Sequence, residues 1–285
     1  MTQNNQKYLA AAIQICAKDD QDGNLKKVAD FVRLAKSYGA LLVMTPENTA
    51  FLGPQFHKIE KAEPLDGPIC QFFSNLAKEL EIYLLIGSLA EQIRLSNGEI
   101  DTKKCYNTSV FFNPKGERIA YYRKIHLFDV DVPNGPSIKE SDFIEPGDQV
   151  VVVDTELGKI GLSICYDLRF PELYAELTKQ GAQIITVPSA FTLTTGKDHW
   201  HALLRARAIE NQVWVIAPGQ WGQHDEKGQR QSYGHSVIID PWGNVSADKG
   251  QGEGICLAEI DLQRVNQVRS AIPVHLHHRL NLKTN

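Results

Sequence analysis

The residues around Cys165 carry the clearest chemical signal in the chain. An apolar run from Ile160 to Ile164 ends in this cysteine, Tyr166, Asp167 and Arg169 follow, and Phe170-Pro171-Glu172-Leu173 opens an amphipathic segment of helical period. This pattern predicts a thiol at the turn between a buried strand and a helix N-terminus. There, converging backbone N–H groups favour thiolate over thiol and can donate to a developing oxyanion. Pro171 and Glu172 suit a first helical turn, where proline's missing N–H costs nothing and a carboxylate complements the dipole. A lone cysteine is usually a small buried apolar residue, so a nucleophilic reading requires partners: a proton acceptor and a group that stabilises charge.

Histidine is the usual acceptor, but none of the nine has the right placement. His275, His277 and His278 cluster near the chain end without carboxylates at helical spacing, and read as a polar terminal segment rather than a metal site. His199 and His201 flank Trp200 at a helix start, where capping or surface roles are expected. Two other polar residues do end strands. Glu47 follows the apolar run Leu41 to Pro46, and Lys124 follows Ile119-Ala120-Tyr121-Tyr122-Arg123. Taken singly, Glu47 reads as a loop carboxylate and Lys124 as a solvated base. Together with Cys165 they put a carboxylate, an ammonium and a thiol at three strand ends, where ligand sites of covered sheets gather.

The elements that must position them are legible as alternating patterns. Strand-like runs occur at Tyr8–Ile15, Leu41–Thr45, Tyr83–Leu89, Thr108–Asn113, Ile119–Tyr122, Val150–Asp154, Ile160–Ile164, Gln183–Pro188, Val213–Ala217, Ser236–Ile239 and Gly254–Ile260. Several are apolar on both faces, as in sheets covered on each side. Helical patterns span Asn24–Tyr38 (Gly39 as C-cap), Pro68–Leu80, Pro171–Gln180 and Asp198–Asn211. Hairpins are expected at residues 153–160, at Asn113-Pro114-Lys115-Gly116 and at Asp240-Pro241-Trp242-Gly243. The class is α/β with mixed sheets. No linker or composition break divides the chain, so one domain is expected. Phe128–Gln149 is the longest aperiodic stretch, of a length often associated with function.

Bulk properties narrow the classes. The 285 residues are 42% hydrophobic and 22% charged with net charge −4, which gives no electrostatic case for nucleic acid or an anionic membrane. Neither a basic leader joined to a long apolar core nor a bilayer-length apolar run is present, so a cytoplasmic location is expected. The five cysteines, Cys16, Cys70, Cys105, Cys165 and Cys256, are scattered and never in CxxC spacing, against a disulfide framework or structural zinc.

In combination, Pro46-Glu47-Asn48, the run Tyr122-Arg123-Lys124-Ile125-His126-Leu127-Phe128, and Gly161 to Glu172 around Cys165 resemble the signature regions of the nitrilase superfamily of carbon–nitrogen hydrolases. Further matches are Pro188-Ser189-Ala190-Phe191, Leu204 to Asn211, and Tyr233-Gly234-His235-Ser236 with Asp240-Pro241-Trp242-Gly243. HLFDVDVP, KESDFIEPG and SAFTLTTGKDHWHALLRARAIENQ look most like the deaminated-glutathione amidase branch.

The resemblance implies a four-layer α-β-β-α sandwich with two mixed β-sheets, a single carbon–nitrogen hydrolase domain over 1–285 (core about 8–262), and a homodimer or larger homo-oligomer. It implies Cys165 as nucleophile, Glu47 as general base and acid with its pKa raised toward neutrality by burial, and Lys124 as oxyanion stabiliser aided by the backbone N–H after Cys165. Glu140 would be a supporting glutamate. Tyr166, Phe191 and Thr192 are implied substrate-binding positions. Arg169, four residues after the nucleophile, is expected to hold a substrate carboxylate in bidentate fashion. Arg205, Arg207 and Glu210 are expected to form ion pairs. No cofactor or metal is required, because a thioester route needs none.

The implied substrate is a small carboxylated amide, deaminated glutathione, cleaved to 2-oxoglutarate and cysteinylglycine. An ω-amidase or nitrilase acting on another small substrate is the alternative. A non-catalytic scaffold has no need of all three polar groups, and a redox sensor built on Cys165 has no resolving cysteine nearby in sequence.

Overall fold

The computed structural model describes residues 7–131, 137–277 and 279. Its first strand shows how an apolar run on both faces is used. Ala10 and Ala12 point into one apolar cluster, Ala11 and Ile13 into another, and all four are fully buried. A strand enclosed on both sides needs a layer above and a layer below.

In chain order, β1 (Lys7–Gln14), α1 (Gln21–Ser37), β2 (Ala40–Met44), α2 (Gln55–Glu60), α3 (Pro68–Leu80), β3 (Tyr83–Arg94), β4 (Ile100–Phe112) and β5 (Arg118–Arg123) come first. The short strands β6 (Asp129–Asp131) and β7 (Ser137–Lys139) precede β8 (Val152–Thr155), β9 (Gly158–Leu162), α4 (Pro171–Lys179), β10 (Ile184–Thr186), α5 (Leu193–Asn211) and β11 (Trp214–Ala217). Then follow β12 (Trp221–Gln223), β13 (Gln231–Tyr233), β14 (Val237–Ile239), β15 (Val245–Asp248), β16 (Gly254–Asp261), α6 (Leu262–Ala271) and α7 (Val274–His277).

Among the described residues, two six-stranded sheets form, ordered β16-β1-β2-β3-β4-β5 and β8-β9-β10-β11-β14-β15. Read in that direction, both have the same pairing sequence: antiparallel, parallel, parallel, antiparallel, antiparallel. The chain therefore uses one arrangement twice, although no internal repeat is visible in its sequence. Helix α1 links β1 to β2 and α3 precedes β3, while α4 and α5 link the parallel strands of the second sheet.

The inner faces of the sheets share one cluster, with Leu42, Met44, Leu85 and Phe111 from the first and Leu162, Ile184, Ile216 and Ile238 from the second. The outer face of the first sheet packs Val43, Leu84 and Ile86 on Val28, Val32, Phe73 and Leu76 of α1 and α3. On the far side, Leu173, Leu177, Trp200 and Leu204 of α4 and α5 cover the second sheet. The result is the expected α-β-β-α sandwich with two mixed sheets.

The differences from the sequence reading are local. β3 and β4 extend beyond Leu89 and before Thr108 because their outer halves pair with each other while remaining partly exposed. Helix α5 begins at Leu193, not Asp198, because the Thr192 hydroxyl caps it by accepting from the Thr195 N–H. All three expected hairpins form. Gly39, just past α1, has φ +91°, the left-handed conformation that ends a helix. Within the aperiodic stretch, β6 pairs with β7 and a 3₁₀ turn covers Glu140–Asp142, while positions 132–136, which include the last two of the HLFDVDVP motif, lie outside the described residues. No helix among the described residues is long and apolar enough to cross a membrane.

Candidate active site

Each singled-out polar residue sits just past a strand end. Glu47 lies three positions past the end of β2, Lys124 directly past β5, and Cys165 three positions past β9. The loop after β2 is pressed against β3 at Gly87, where a Cβ would come within 2.0 Å of the Thr45 carbonyl and 2.3 Å of that of Pro46. The Gly87 N–H donates to Thr45 Oγ1 at 2.9 Å. Glycine is thus required for the approach that presents Glu47 to the site.

Three buried charges then meet. Lys124 Nζ donates to Glu47 Oε1 at 3.1 Å and to Glu140 Oε1 and Oε2 at 3.1 and 2.8 Å. Glu47 Oε2 accepts from the Ala190 N–H at 2.7 Å, and Oε1 accepts from Asn107 Nδ2 at 2.9 Å. Glu140 Oε2 also accepts from the Phe128 N–H at 2.7 Å. The Cys165 side chain faces the Glu47 carboxyl and feels the charges of both Glu47 and Lys124.

The electrostatics correct two expectations. Burial pushes the Glu47 carboxyl up, but Lys124, the Cys165 side chain, Lys58 and the Ala190 amide outweigh it, and Glu47 is held below the ordinary carboxylate range. Burial pulls Lys124 down, yet Glu140 and Glu47 outweigh it and hold the ammonium charged. Burial and the adjacent Glu47 charge push the Cys165 thiol well up, against the pull of Lys124. These directions favour a carboxylate on Glu47, an ammonium on Lys124 and a thiol on Cys165, rather than a thiolate beside a glutamate raised toward neutrality.

The helix N-terminus is also displaced. Cys165 opens a 3₁₀ turn, Cys165–Arg169, and α4 starts only at Pro171, so the thiol stands at the head of the turn rather than of α4, and the backbone donor acting on it is the Ala190 N–H. Cys165 itself has φ +47°, a strained conformation for a side-chain-bearing residue. Its N–H is fixed on the Pro188 carbonyl at 2.9 Å. The fully buried Asp167 holds the rest: Oδ2 accepts from the Ile164 N–H at 2.8 Å and the Tyr122 hydroxyl at 2.7 Å, while Oδ1 lies 3.0 Å from the His126 N and 2.8 Å from its Nδ1. Arg207 donates to the Leu168 carbonyl through Nε and Nη2 at 3.1 and 2.8 Å and pairs with Glu210. Arg205 instead donates to the Gly243 carbonyl at 2.9 Å.

A cavity of 1270 Å³ opens over these groups, and Glu47, Lys124, Glu140, Cys165, Tyr166, Phe191 and Thr192 all line it. Arg169 does not, which corrects its expected placement. Its guanidinium lies over the rings of Tyr166 and Phe191, 5.9 and 5.5 Å from their centroids, with Nη2 3.2 Å from His199 Nδ1. Stacking on two rings of the cavity wall keeps it one side chain back. Asn107, Asp167 and Lys58 were not singled out from the sequence. Asp167 lies two positions past the cysteine in a quoted motif, but nothing in the chain order marks Asn107 or Lys58.

Away from the cavity, His201, His235 and Asp248 place three ligand atoms within 4.8 Å of one another, a spacing that can hold a divalent cation. Direct pairing of both histidines with Asp248, at 2.8 and 3.1 Å, accounts for the cluster without one. His275 and His277 are exposed on α7, and His278 lies outside the described residues. The five cysteines are all free thiols.

Residues 9–270 match the carbon-nitrogen hydrolase family. The chain is 43% identical over 275 residues to the deaminated glutathione amidase of Synechocystis sp., covering 96% of this chain and 98% of that one. It is 39% identical over 277 residues to the human omega-amidase NIT2, covering 96% of each. Its fold superposes on Saccharomyces cerevisiae Nit3, described as a member of branch 10 of the nitrilase superfamily, with TM-score 0.83 and 34% identity over 94% of this chain and 95% of that one. On the match, the identities and the fold, the chain belongs to the carbon-nitrogen hydrolase family and is a hydrolase of carbon–nitrogen bonds other than peptide bonds.

Proposed function

We propose that the chain hydrolyses deaminated glutathione to 2-oxoglutarate and cysteinylglycine through a Cys165 thioester, a metabolite-repair reaction. The observation that carries this reading is the convergence of Cys165, Lys124 and the buried Glu47 on the wall of one 1270 Å³ cavity, with Lys124 Nζ 3.1 Å from Glu47 Oε1. That volume exceeds the ~300–1,000 Å³ typical of small-ligand sites and suits a tripeptide-sized substrate. Its high identity to amidases of that name supports the same choice.

In the first step Cys165 Sγ bonds to the amide carbon as its proton passes to Glu47, and the carbonyl π pair moves onto oxygen. The Lys124 ammonium and the Tyr166 N–H, the first backbone donor past the nucleophile, receive that oxyanion. Collapse breaks the carbon–nitrogen bond, and the Glu47 proton leaves with the amine. Glu47, again a carboxylate, then takes a proton from the water that attacks the thioester, and the thiol is restored. Glu140 keeps Lys124 charged and aimed. Tyr166, Phe191 and Thr192 bound the acyl and leaving-group space, with Arg169 stacked behind them.

The human omega-amidase, similar over nearly the whole chain, favours one second reading, hydrolysis of a smaller ω-amide. We further read the chain as a single cytoplasmic domain that assembles as a homodimer or larger homo-oligomer. Incubation with deaminated glutathione and with 2-oxoglutaramate, with release of cysteinylglycine and of ammonia measured in parallel, decides between the two. Rapid quench and intact-mass analysis should trap an acyl adduct on Cys165. Faster ammonia release, with no dipeptide formed, would overturn the first reading.

A further inference from the structure

Two buried or half-buried cations of the cavity, Lys58 and Arg230, play no part in the proposed mechanism. Both line the cavity that holds Cys165. Lys58, on α2, is 8% exposed, and its ammonium donates to a neutral acceptor, Asn48 Oδ1, at 2.8 Å. Among the described residues no carboxylate oxygen pairs with it, although its charge reaches the Glu47 carboxyl. Arg230, on the connection between β12 and β13, donates through Nη1 to the Gly53 carbonyl. Burial pulls its pKa down, and only the Asp225 charge opposes. The Asp225 carboxylate is itself occupied by the N–H groups of Gln229 at 3.0 Å and of Arg230 at 2.7 Å.

A buried cation without an anion in contact is expensive, and sites that keep one commonly pair it with a ligand. The two cations are held at opposite ends of one segment. Arg230 grips it at Gly53, just before α2, and Lys58 reaches back to Asn48, the neighbour of Glu47. Lys58 is thus the cation nearer the reacting carboxylate, and the less buried Arg230 is the outer one.

We infer that Lys58 and Arg230 are two carboxylate subsites of this cavity, Lys58 taking the carboxylate on the acyl side of the scissile amide and Arg230 the carboxylate on the leaving-group side. The inference rests on the proposed amidase reading and deepens it: the site selects amides that are anionic at both ends. A substrate that yields 2-oxoglutarate and cysteinylglycine has this form, with an oxo-acid carboxylate on one side of the amide and the glycine carboxylate on the other. Two extended residues span about 7 Å, so the two charges need separate cations. A planar guanidinium with five donors suits a terminal carboxylate at the open end, and a compact ammonium suits the enclosed end.

The test compares matched amides with each carboxylate free or methyl-esterified, in wild type, Lys58→Met, Lys58→Arg and Arg230→Gln. Hydrogen bonds to charged groups convert to about 10- to 100-fold in kcat/KM. Lys58→Met should therefore lower kcat/KM about 10- to 100-fold more for the free acyl-side acid than for its ester. Lys58→Arg should recover part of that preference. Arg230→Gln should do the same for the leaving-side acid alone. Equal losses on acid and ester would overturn the inference, and equal losses with a shifted acid limb would show that Lys58 only balances the charge of Glu47.

Calorimetric binding of the dianionic substrate and its glycine ester to Cys165→Ala, with and without Arg230→Gln, gives the same comparison without turnover. If wild type cleaves other carboxylated amides but not deaminated glutathione, the proposed function fails. The acid-to-ester ratios on those amides still decide the subsites.

Discussion

Replacing Asp167 by asparagine tests whether the nucleophile turn is built on one buried carboxylate. Asp167 is fully buried, and its two oxygens have four nitrogen or hydroxyl partners, two of them backbone N–H groups that cannot change role: Ile164 on Oδ2 and His126 on Oδ1. The other two partners can adapt, because the Tyr122 hydroxyl can turn to accept and the His126 ring can change tautomer. Asparagine puts an NH₂ where one oxygen stood, so in either amide orientation one backbone N–H is stranded. A stranded buried donor costs about 1–3 kcal/mol, and weakening the surviving bonds from charge-assisted to neutral adds about 1 kcal/mol, for about 2–4 kcal/mol in all.

A domain of typical stability, about 5–15 kcal/mol, still folds after such a loss. The turn loses the anchor that keeps Cys165 at φ +47°, a conformation that by itself costs about 1–3 kcal/mol. Relaxation by about 1 Å at a nucleophile costs up to about 10²-fold in rate. Urea unfolding and kcat on any cleaved amide, for Asp167→Asn beside Tyr122→Phe, measure both effects. Tyr122→Phe strands no backbone group and should do less to each. Stability within about 0.5 kcal/mol of wild type, together with an unaltered kcat, would refute this account of the turn.

Gly87→Ala should lower kcat by about 10²-fold without touching the cavity, because its methyl meets the Thr45 and Pro46 carbonyls at 2.0 and 2.3 Å and must push Glu47 out of place; steady-state kinetics at a fixed folded fraction would show it. Glu47→Gln should reduce kcat about 10²–10⁴-fold, and the wild-type acid limb of kcat/KM should lie below the ordinary glutamate range, since Glu47 is held down by its cationic and hydrogen-bonding partners. A pH–rate profile with a limb near neutrality would contradict the charge state of the site. His224, buried beside the cavity, has its pKa pulled down to about 4 by burial against the Ala17 hydrogen bond. Its neutral form is thus favoured by folding, so its stabilisation is complete above the unfolded value near 6.5 and falls away down to about pH 4, by about 3 kcal/mol. Unfolding midpoints at pH 7 and 4.5 should differ less in His224→Gln than in wild type. Dialysis against a chelator should leave amidase activity intact, because the proposed thioester route needs no metal; a loss restored by zinc would implicate His201, His235 and Asp248.

Much was determined by the chain alone. Period and end signals placed the ends of β2, β5 and β9 within one or two positions of where they fall, and so marked Glu47, Lys124 and Cys165 as side chains just past strand ends. These are local properties, set by alternation, turn residues and capping within a few positions. The doubling of one sheet arrangement was not legible, because pairing order depends on contacts between segments far apart in sequence. Nor was the charge state of the site. Chain order placed a thiol near a helix start, which argues for thiolate, whereas the fold favours the charge on Glu47, because Lys124, 77 positions away, lies 3.1 Å from it and burial raises the Cys165 thiol. Arg169 illustrates the same limit: four residues separate it from Cys165 in the chain, but packing over Tyr166 and Phe191 keeps it out of the cavity wall, while Lys58 arrives there from a distant helix. Residue type decides which chemistry a position can offer; only burial and long-range packing decide its protonation state and what it meets.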